Sequence, residues 1–255
     1  MKVGLIGFGK TGKAVASVIL ENPEIRLEWV IRKSHRMEHR SVPEFLGIDS
    51  REPGLLYSSE EFTADELLDA MPVDAIIDFS SEDGYQYYAD AAAERGISIV
   101  SAISHYEQNS IDALRSLADR TRVLWSPNIT IGINFLIIAA QVLQRIAPYT
   151  DIQIMEEHFK DKDQVSGTAI RIANELSLET SEIKSIRAGG IIGTHEVLFG
   201  FPFQTVRLKH ESISREAFGK GAMFAVEHLQ ERPKGFYRME DLLRPFFTGE
   251  VPVVK

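Results

Sequence analysis

Cysteine is absent from this sequence. That excludes a disulfide framework, a thiolate metal site and every mechanism with a cysteine nucleophile. No apolar run reaches the ~18 residues a membrane span requires. The N-terminus enters Met1-Lys2-Val3-Gly4-Leu5-Ile6 without a basic, apolar and cleavage-site pattern, so no membrane association is expected and the cytoplasm is the expected compartment. Positive charge is scarce: 28 Lys and Arg against 37 Asp and Glu give a net charge of −9. A general nucleic-acid binder needs a basic face, so no nucleic-acid partner is expected and any anionic ligand must be caught by a local pocket. Repeats, low-complexity tracts and linkers are also missing, and the 255 residues are enough for two domains.

What is present begins with a short apolar run, Val3 to Ile6. The turn Gly7-Phe8-Gly9-Lys10-Thr11-Gly12 follows, then apolar residues Ala14, Val15, Val18 and Ile19 at helical spacing. Strand, glycine turn and helix in this order point to a dinucleotide site, the competing reading being a purely structural turn. Gly7 permits a tight turn, Gly9 lets the backbone approach a pyrophosphate, and Gly12 allows close packing of helix on strand. A second strand, Arg26 to Ile31, ends in Arg32-Lys33-Ser34-His35-Arg36. An acid at this place would bond the ribose hydroxyls of NAD; the cations suit the extra phosphate of NADPH, with Arg32 stacking on adenine and Lys33 pairing with the phosphate. NADPH is therefore the expected cofactor and NADH the alternative.

Residues 37–62 read as a variable excursion on the sheet edge, with a short strand at Leu55-Leu56-Tyr57. Strands and helices then alternate to Trp125, which gives a doubly wound parallel sheet with ligands at the carboxyl ends of its strands. Phe79 and Ser80, Ser101 and Ile103, and Ser126 and Asn128 fall at such ends and are cofactor-lining candidates. A break at residues 126–134 marks a domain junction, followed by a helix over 134–146. Beyond it come a strand over 151–158, a helix over 168–178, and strands near 183–189, 193–200 and 204–210. Strands in succession predict an α+β domain with a mixed or antiparallel sheet. A long helix begins at Arg215, and Gly235-Phe236-Tyr237 leads into a last short one. The expected division is 1–127, completed by 215–255, as the dinucleotide-binding domain, with 128–214 as the substrate-binding and oligomerisation domain.

The stretch from Glu156 to Ala169 carries the densest chemistry. His158, Lys160 and Lys162 would share one face if the segment were extended. Ser166-Gly167-Thr168 opens a helix whose N-terminal amides can take a carboxylate. The competing reading is a charged, solvated loop with Ser166 capping the helix.

These stretches resemble one family, the 4-hydroxy-tetrahydrodipicolinate (dihydrodipicolinate) reductases of lysine and diaminopimelate synthesis. The resemblance rests on the glycine turn, Asp78-Phe79-Ser80, residues 126–134, the central stretch, Arg187 to Phe199, His210 to Ala222, and Gly235-Phe236-Tyr237. The family's central motif reads Glu-x-His-His-x-x-Lys-x-Asp-x-Pro-Ser-Gly-Thr-Ala. Deleting one residue between its lysine and aspartate aligns Glu156, His158, Lys162 and Asp163; without the gap, Glu157 and Asp161 would stand where the first histidine and the lysine belong. On the gapped alignment the resemblance implies a Rossmann-type fold in the first domain and Lys162 as proton donor. It also implies that His158 orients or polarises a dicarboxylate substrate and that Ser166, Gly167 and Thr168 bind a carboxylate.

Three departures accompany this. Phe159 stands where the family's second histidine contacts a substrate carboxylate, which leaves Lys160 as a substitute contact. Ser101-Ala102-Ile103-Ser104 replaces a glycine-threonine-threonine-glycine turn beside the nicotinamide. The connection before Arg187 is shortened. Rival readings are an NADP-dependent imine reductase or amino-acid dehydrogenase on a related substrate, and a non-catalytic NADPH-binding regulator. Semialdehyde and glyceraldehyde phosphate dehydrogenases share the plan but require the missing cysteine. No metal is expected. Ile191, Ile192, Val197, Leu198, Phe199, Phe201 and Phe203 are many apolar groups for a sheet with two covering helices. Family members pair these sheets, so a homotetramer held through residues 183–210 is expected.

Overall fold

A computed structural model describes residues 1–34, 39–50, 52 and 54–249. They fall into two compact units, Met1–Ile129 with Phe218–Leu242, and Thr130–Ala217 with residues 243–249.

The first unit runs β1 (Lys2–Ile6), α1 (Lys10–Leu20), β2 (Arg26–Arg32), α2 (Val42–Leu46), β3 (Leu55–Ser58), α3 (Ala64–Ala70), β4 (Ala75–Asp78), α4 (Tyr85–Glu94), β5 (Ser98–Ser101), α5 (Gln108–Ser116) and β6 (Arg122–Trp125). The second runs α6 (Ile131–Ile146), β7 (Asp151–His158), α7 (Gly167–Glu175), β8 (Ile183–Arg187), β9 (Thr194–Gly200) and β10 (Thr205–Glu211). The chain then continues through α8 (Glu216–Gln230), β11 (Gly235–Tyr237) and α9 (Met239–Thr248).

In the first unit seven strands pair in the order β11-β6-β5-β4-β1-β2-β3. Every pairing is parallel. Such a sheet is covered on both faces, and so β4 and β5 are buried along their whole length. Gly4 is part of that packing: a Cβ there would lie 2.1 Å from the Trp29 ring, which is itself fully buried. Helix α8 lies close on α1, where a Cβ at Gly219 would meet Val18 at 2.8 Å. The order in which successive strands join the sheet reverses at β1, whose neighbours are β2 and β4, and this switch point opens a crevice at the carboxyl ends of the strands.

Two elements differ from the sequence reading. The excursion over 37–62 contains the unexpected α2, capped by the Ser41 hydroxyl on the Glu44 amide, whereas the strand expected at Leu55-Leu56-Tyr57 is there as the edge strand β3, in parallel register with β2. Gly235-Phe236-Tyr237 is a strand beside β6 and not simply a lead into a helix. Three residues are too short to show a period, so only the pairing identifies β11.

The second unit's sheet has the order β10-β9-β7-β8, mixed in direction: β7 pairs with β8 parallel and with β9 antiparallel. One face packs on α6 and α7, with Ile137, Ile154, Ile172, Val197 and Phe199 in its core. Val197 and Phe199 are fully buried there, so they belong to the unit's own core. On the other face Ile186 is exposed and Met155 and Leu198 are partly exposed, among Glu157, Glu196 and Arg207. Helix α6 starts three residues before the expected position, because Thr130 is extended and its carbonyl receives the Asn134 side chain at 2.8 Å. Among the described residues no helix is long and apolar enough to cross a membrane.

Candidate active site

In the first unit, α1 begins at the crevice with its N-terminus uncapped by any side chain. Gly7 has φ +97°, its amide bonds the Ile31 carbonyl at 2.8 Å, and a Cβ on it would strike the Phe79 backbone at 2.7 Å. A Cβ on Gly12 would lie 2.1 Å from the Gly7 carbonyl oxygen, so α1 seats directly against the turn. Gly9 faces open space. The crevice of about 510 Å³ is lined by Gly7, Phe8 and Gly9, by Arg32, Lys33 and Ser34, and by Phe79 and Ser80.

An uncapped helix start, a glycine with room beside it and a basic strand end fit the pyrophosphate and phosphorylated ribose of a nicotinamide dinucleotide. Lys10, Thr11 and Gly12 form the first turn of α1, behind the lining. His35 and Arg36 lie outside the described residues.

The floor beside the crevice is fixed by a buried acid. Asp78 ends β4, accepts from the Ser80 amide at 2.8 Å and hydroxyl at 2.6 Å, and accepts from the Tyr88 hydroxyl at 2.8 Å. Burial raises its pKa against those three bonds. Asp78 thereby holds Ser80 at the strand end.

Ser101, Ile103, Ser126 and Asn128 lie at the ends of β5 and β6 and do not line this crevice. Ser101 bonds Tyr106 at 2.9 Å, the Ile103 carbonyl accepts from Trp125, and Ser126 bonds the Asn128 carbonyl. Ser81, which follows Ser80 at the end of β4, lines it as its strand-end position predicts, whereas sequence reasoning missed Ser59, Asp83 and Tyr87, which also line it. Ser59 follows β3, and only the pairing of β3 with β2 brings it there.

In the second unit the functional side chains gather at the carboxyl end of β7. Glu156 and His158 are two residues apart on one face, and the His158 Nδ1 bonds Glu156. The other carboxylate oxygen of Glu156 accepts from Arg187 at 2.6 Å and from the Ser185 hydroxyl at 2.6 Å. Burial pushes this carboxyl up, but the bonds from Arg187, Ser185 and His158 outweigh it and hold the pKa at about 2. A fixed carboxylate on Nδ1 leaves the Nε2 of His158 directed away from Glu156, toward Gly193, where a Cβ would approach it to 3.0 Å. A side chain at 193 would crowd the imidazole.

Strand β7 stops at His158, and Phe159 to Lys162 form a turn, with the Lys162 amide on the Phe159 carbonyl at 3.2 Å. His158, Lys160 and Lys162 therefore do not share a strand face. Lys160 is exposed and its amide bonds the Gly189 carbonyl at 3.1 Å, Phe159 is 45% exposed, and Lys162 is partly buried. Arg187 donates to the Lys162 and Gln164 carbonyls at 2.8 and 2.9 Å, which pins the turn from below.

Ser166 precedes α7 but does not cap it: its hydroxyl meets His195 Nε2 at 2.9 Å. The reading of Ser166 as a simple cap thus fails. Gly167 is exposed at the helix start and Thr168 partly so. His195, on β9, was missed as a site residue. Its ring stands edge-on to that of His158 at 5.3 Å, and burial first, then the neighbouring His158 and His210, lowers its pKa to about 3. Among the described residues no cluster of metal-binding side chains occurs.

Residues 1–129 match the profile described as "Dihydrodipicolinate reductase, N-terminus", and residues 129–243 match "Dihydrodipicolinate reductase, C-terminus". The chain belongs to the dihydrodipicolinate reductase family. Among its relatives, the 4-hydroxy-tetrahydrodipicolinate reductase of Thermosipho africanus is 28% identical over 97% of this chain and 100% of that protein. The enzyme of the same name from Stenotrophomonas maltophilia is 34% identical over 72% of this chain and 78% of its own length. In fold, the chain is similar to the dipicolinate-bound dihydrodipicolinate reductase from Paenisporosarcina sp. TG-14, with a TM-score of 0.77, 20% identity, and coverage of 94% of this chain and 98% of that one. An amine dehydrogenase from Mycobacterium smegmatis is similar at a TM-score of 0.64 with 11% identity, covering 94% of this chain and 95% of that one. The Rossmann-type sheet with a mixed second sheet is thus the fold of this family as well as of this chain.

Proposed function

We propose that this reductase-family chain converts 4-hydroxy-tetrahydrodipicolinate to tetrahydrodipicolinate in lysine and diaminopimelate biosynthesis, with NADPH as the preferred cofactor and the cytoplasm as its place of action. The observation that carries the reading is the grouping of Glu156, His158, Arg187 and Ser166 around the turn that bears Lys162. Bound NADPH supplies the hydride. The residues of this chain do the rest.

Glu156 fixes the His158 tautomer through Nδ1, so Nε2 is presented to the substrate. His158 orients or polarises the substrate and Lys162 gives the proton. One carboxylate is held at the start of α7 by the Ser166 hydroxyl, Gly167 and Thr168, where amides and helix dipole both favour an anion. Phe159 cannot donate to a second carboxylate, so Lys160 takes that contact. In the first unit, Gly7 to Gly12 cradle the pyrophosphate, Arg32 and Lys33 hold the adenosine phosphate, and Phe79, Ser80, Ser101, Ile103, Ser126 and Asn128 serve the nicotinamide side. The geometry favours the gapped alignment, since Glu157 points to the opposite sheet face from Glu156 and His158 and Asp161 is exposed. Substrate-dependent loss of NADPH absorbance with purified protein tests the reading. A protein that oxidises no NADPH with this substrate refutes it.

A further inference from the structure

A serine before a helix ordinarily turns its hydroxyl back onto the second or third amide of the first turn. In α7 those amides belong to Thr168 and Ala169, yet Ser166 makes no such bond. Its backbone is in the capping position, with its carbonyl accepting from Ile170 at 3.0 Å, so only the side chain is diverted. What diverts it is His195, whose Nε2 lies 2.9 Å from the Ser166 Oγ, both residues being buried.

The tautomer of His195 follows from its other nitrogen. Nδ1 is buried and, among the described residues, has no hydrogen-bond partner. A buried orphan N–H is costlier and rarer than a lone pair left without a donor, so the proton belongs on Nε2. A neutral Nε2–H can only donate. The Ser166 oxygen is then the acceptor, and its own hydrogen must point elsewhere.

We propose that His195 is a positioning residue of the site. As its Nε2–H tautomer it donates to the Ser166 hydroxyl, draws that oxygen away from the first turn of α7, and leaves the Ala169 amide and the Ser166 O–H to a substrate carboxylate. The inference rests on the reading of Ser166-Gly167-Thr168 as the carboxylate subsite. Without His195 the serine would become an ordinary cap, competing with the ligand for the Ala169 amide.

Three measurements test this. Nitrogen chemical shifts of the wild-type His195 imidazole, taken without substrate, should report the Nε2–H tautomer; the Nδ1–H tautomer would overturn the proposal whether or not the protein turns over. His195→Leu should raise the KM for substrate and the Kd for dipicolinate about tenfold while kcat stays within about twofold, and His195→Gln, whose amide nitrogen can donate from a similar place, should recover most of the loss. Ser166→Ala should weaken dipicolinate binding about tenfold in the wild type and hardly at all in His195→Leu, because the two residues act as one unit. Equal losses in both backgrounds, or a His195→Leu protein that binds like the wild type, would overturn the proposal. A wild type that binds dipicolinate but does not oxidise NADPH with the substrate would count against the proposed reaction and not against this role of His195.

Discussion

Arg187 donates from Nε to the Lys162 carbonyl at 2.8 Å while its Nη2 holds Glu156 at 2.6 Å. One guanidinium therefore ties the turn that presents Lys162 to the carboxylate that orients His158. The fork geometry of arginine makes this possible, since a lysine offers no second planar donor at a fixed spacing. Replacing Arg187 by methionine should strand the buried Glu156 carboxylate and loosen the turn together. Removing one partner of a buried pair costs about 3–5 kcal/mol; because Arg187 is 20% exposed in its side chain, about 2–3 kcal/mol is expected. Urea unfolding would show it, and kcat should fall more than NADPH affinity. A variant with unchanged stability and kcat would show that this bond network does not set the turn.

The assignment of the proton donor has two outcomes that exclude each other. Lys162→Ala should lower kcat ~10²-fold with little change in cofactor binding if Lys162 transfers the proton. Asp161→Ala should be nearly silent, since Asp161 is exposed at the tip of the turn. Near-full activity in the first and a dead enzyme in the second would favour the ungapped alignment instead.

Much of this site was legible in the sequence because it lies in contiguous stretches. His158, Lys162 and Ser166-Gly167-Thr168 sit within one loop, and the glycine turn has a spacing that only a strand-to-helix junction explains. Long alternating elements, such as the strand Asp151–His158, were also readable to the residue. What escaped depends on pairings between distant segments. His195 reaches Ser166 because β9 pairs with β7, and Glu156 and His195 are register partners in that ladder. Ser59 joins the crevice only because a four-residue strand docks beside β2. The expected common face of His158, Lys160 and Lys162 failed because the strand ends at His158, a boundary set by the turn that Arg187 and the Gly189 carbonyl pin.

Cofactor choice should reside in the strand-end cations. Arg32 and Lys33 both line the crevice, and Lys33 is exposed to solvent. A charge-assisted contact to a phosphate contributes about 1.5–3 kcal/mol, reduced here by screening at an exposed position. Arg32→Ala with Lys33→Ala should therefore weaken NADPH about tenfold or more and leave NADH nearly unchanged, as read by fluorescence titration. Equal weakening of both cofactors would show that the cluster does not recognise the phosphate.

Assembly should follow the uncovered face of the second sheet. Ile186 is 46% exposed there, and Met155 and Leu198 share that face, whereas Val197 and Phe199 point into the unit's own core. A homotetramer formed through residues 183–210 would cover the first three. Light scattering at micromolar concentration is expected to give four copies, and Ile186→Lys with Leu198→Glu should lower the mass without unfolding the chain. A wild-type monomer would remove this face as an interface.

Acid should destabilise the protein in two overlapping windows. His195 is held at about 3 against an ordinary 6.5, by burial and by the charges of His158, His210 and Lys162, with Glu156 opposing. Between those values the unfolded chain takes up a proton that the native protein refuses, so stability falls as pH drops below 6.5 and stops falling near 3. Glu156, at about 2 against 4.5, stabilises the fold above 4.5 and loses that contribution as pH falls toward 2. Burial also lowers the His210 pKa, so His210 adds to the first window with the same sign. Over about 1.5 pH units below 6.5, the His195 share comes to about 2 kcal/mol. Urea midpoints at about pH 7 and about pH 5 should show wild type losing more stability than His195→Gln, which carries no titrating group there, while both lose the Glu156 contribution at lower pH. Identical slopes in the two proteins between about pH 7 and about pH 5 would mean that His195 is not held neutral by its surroundings.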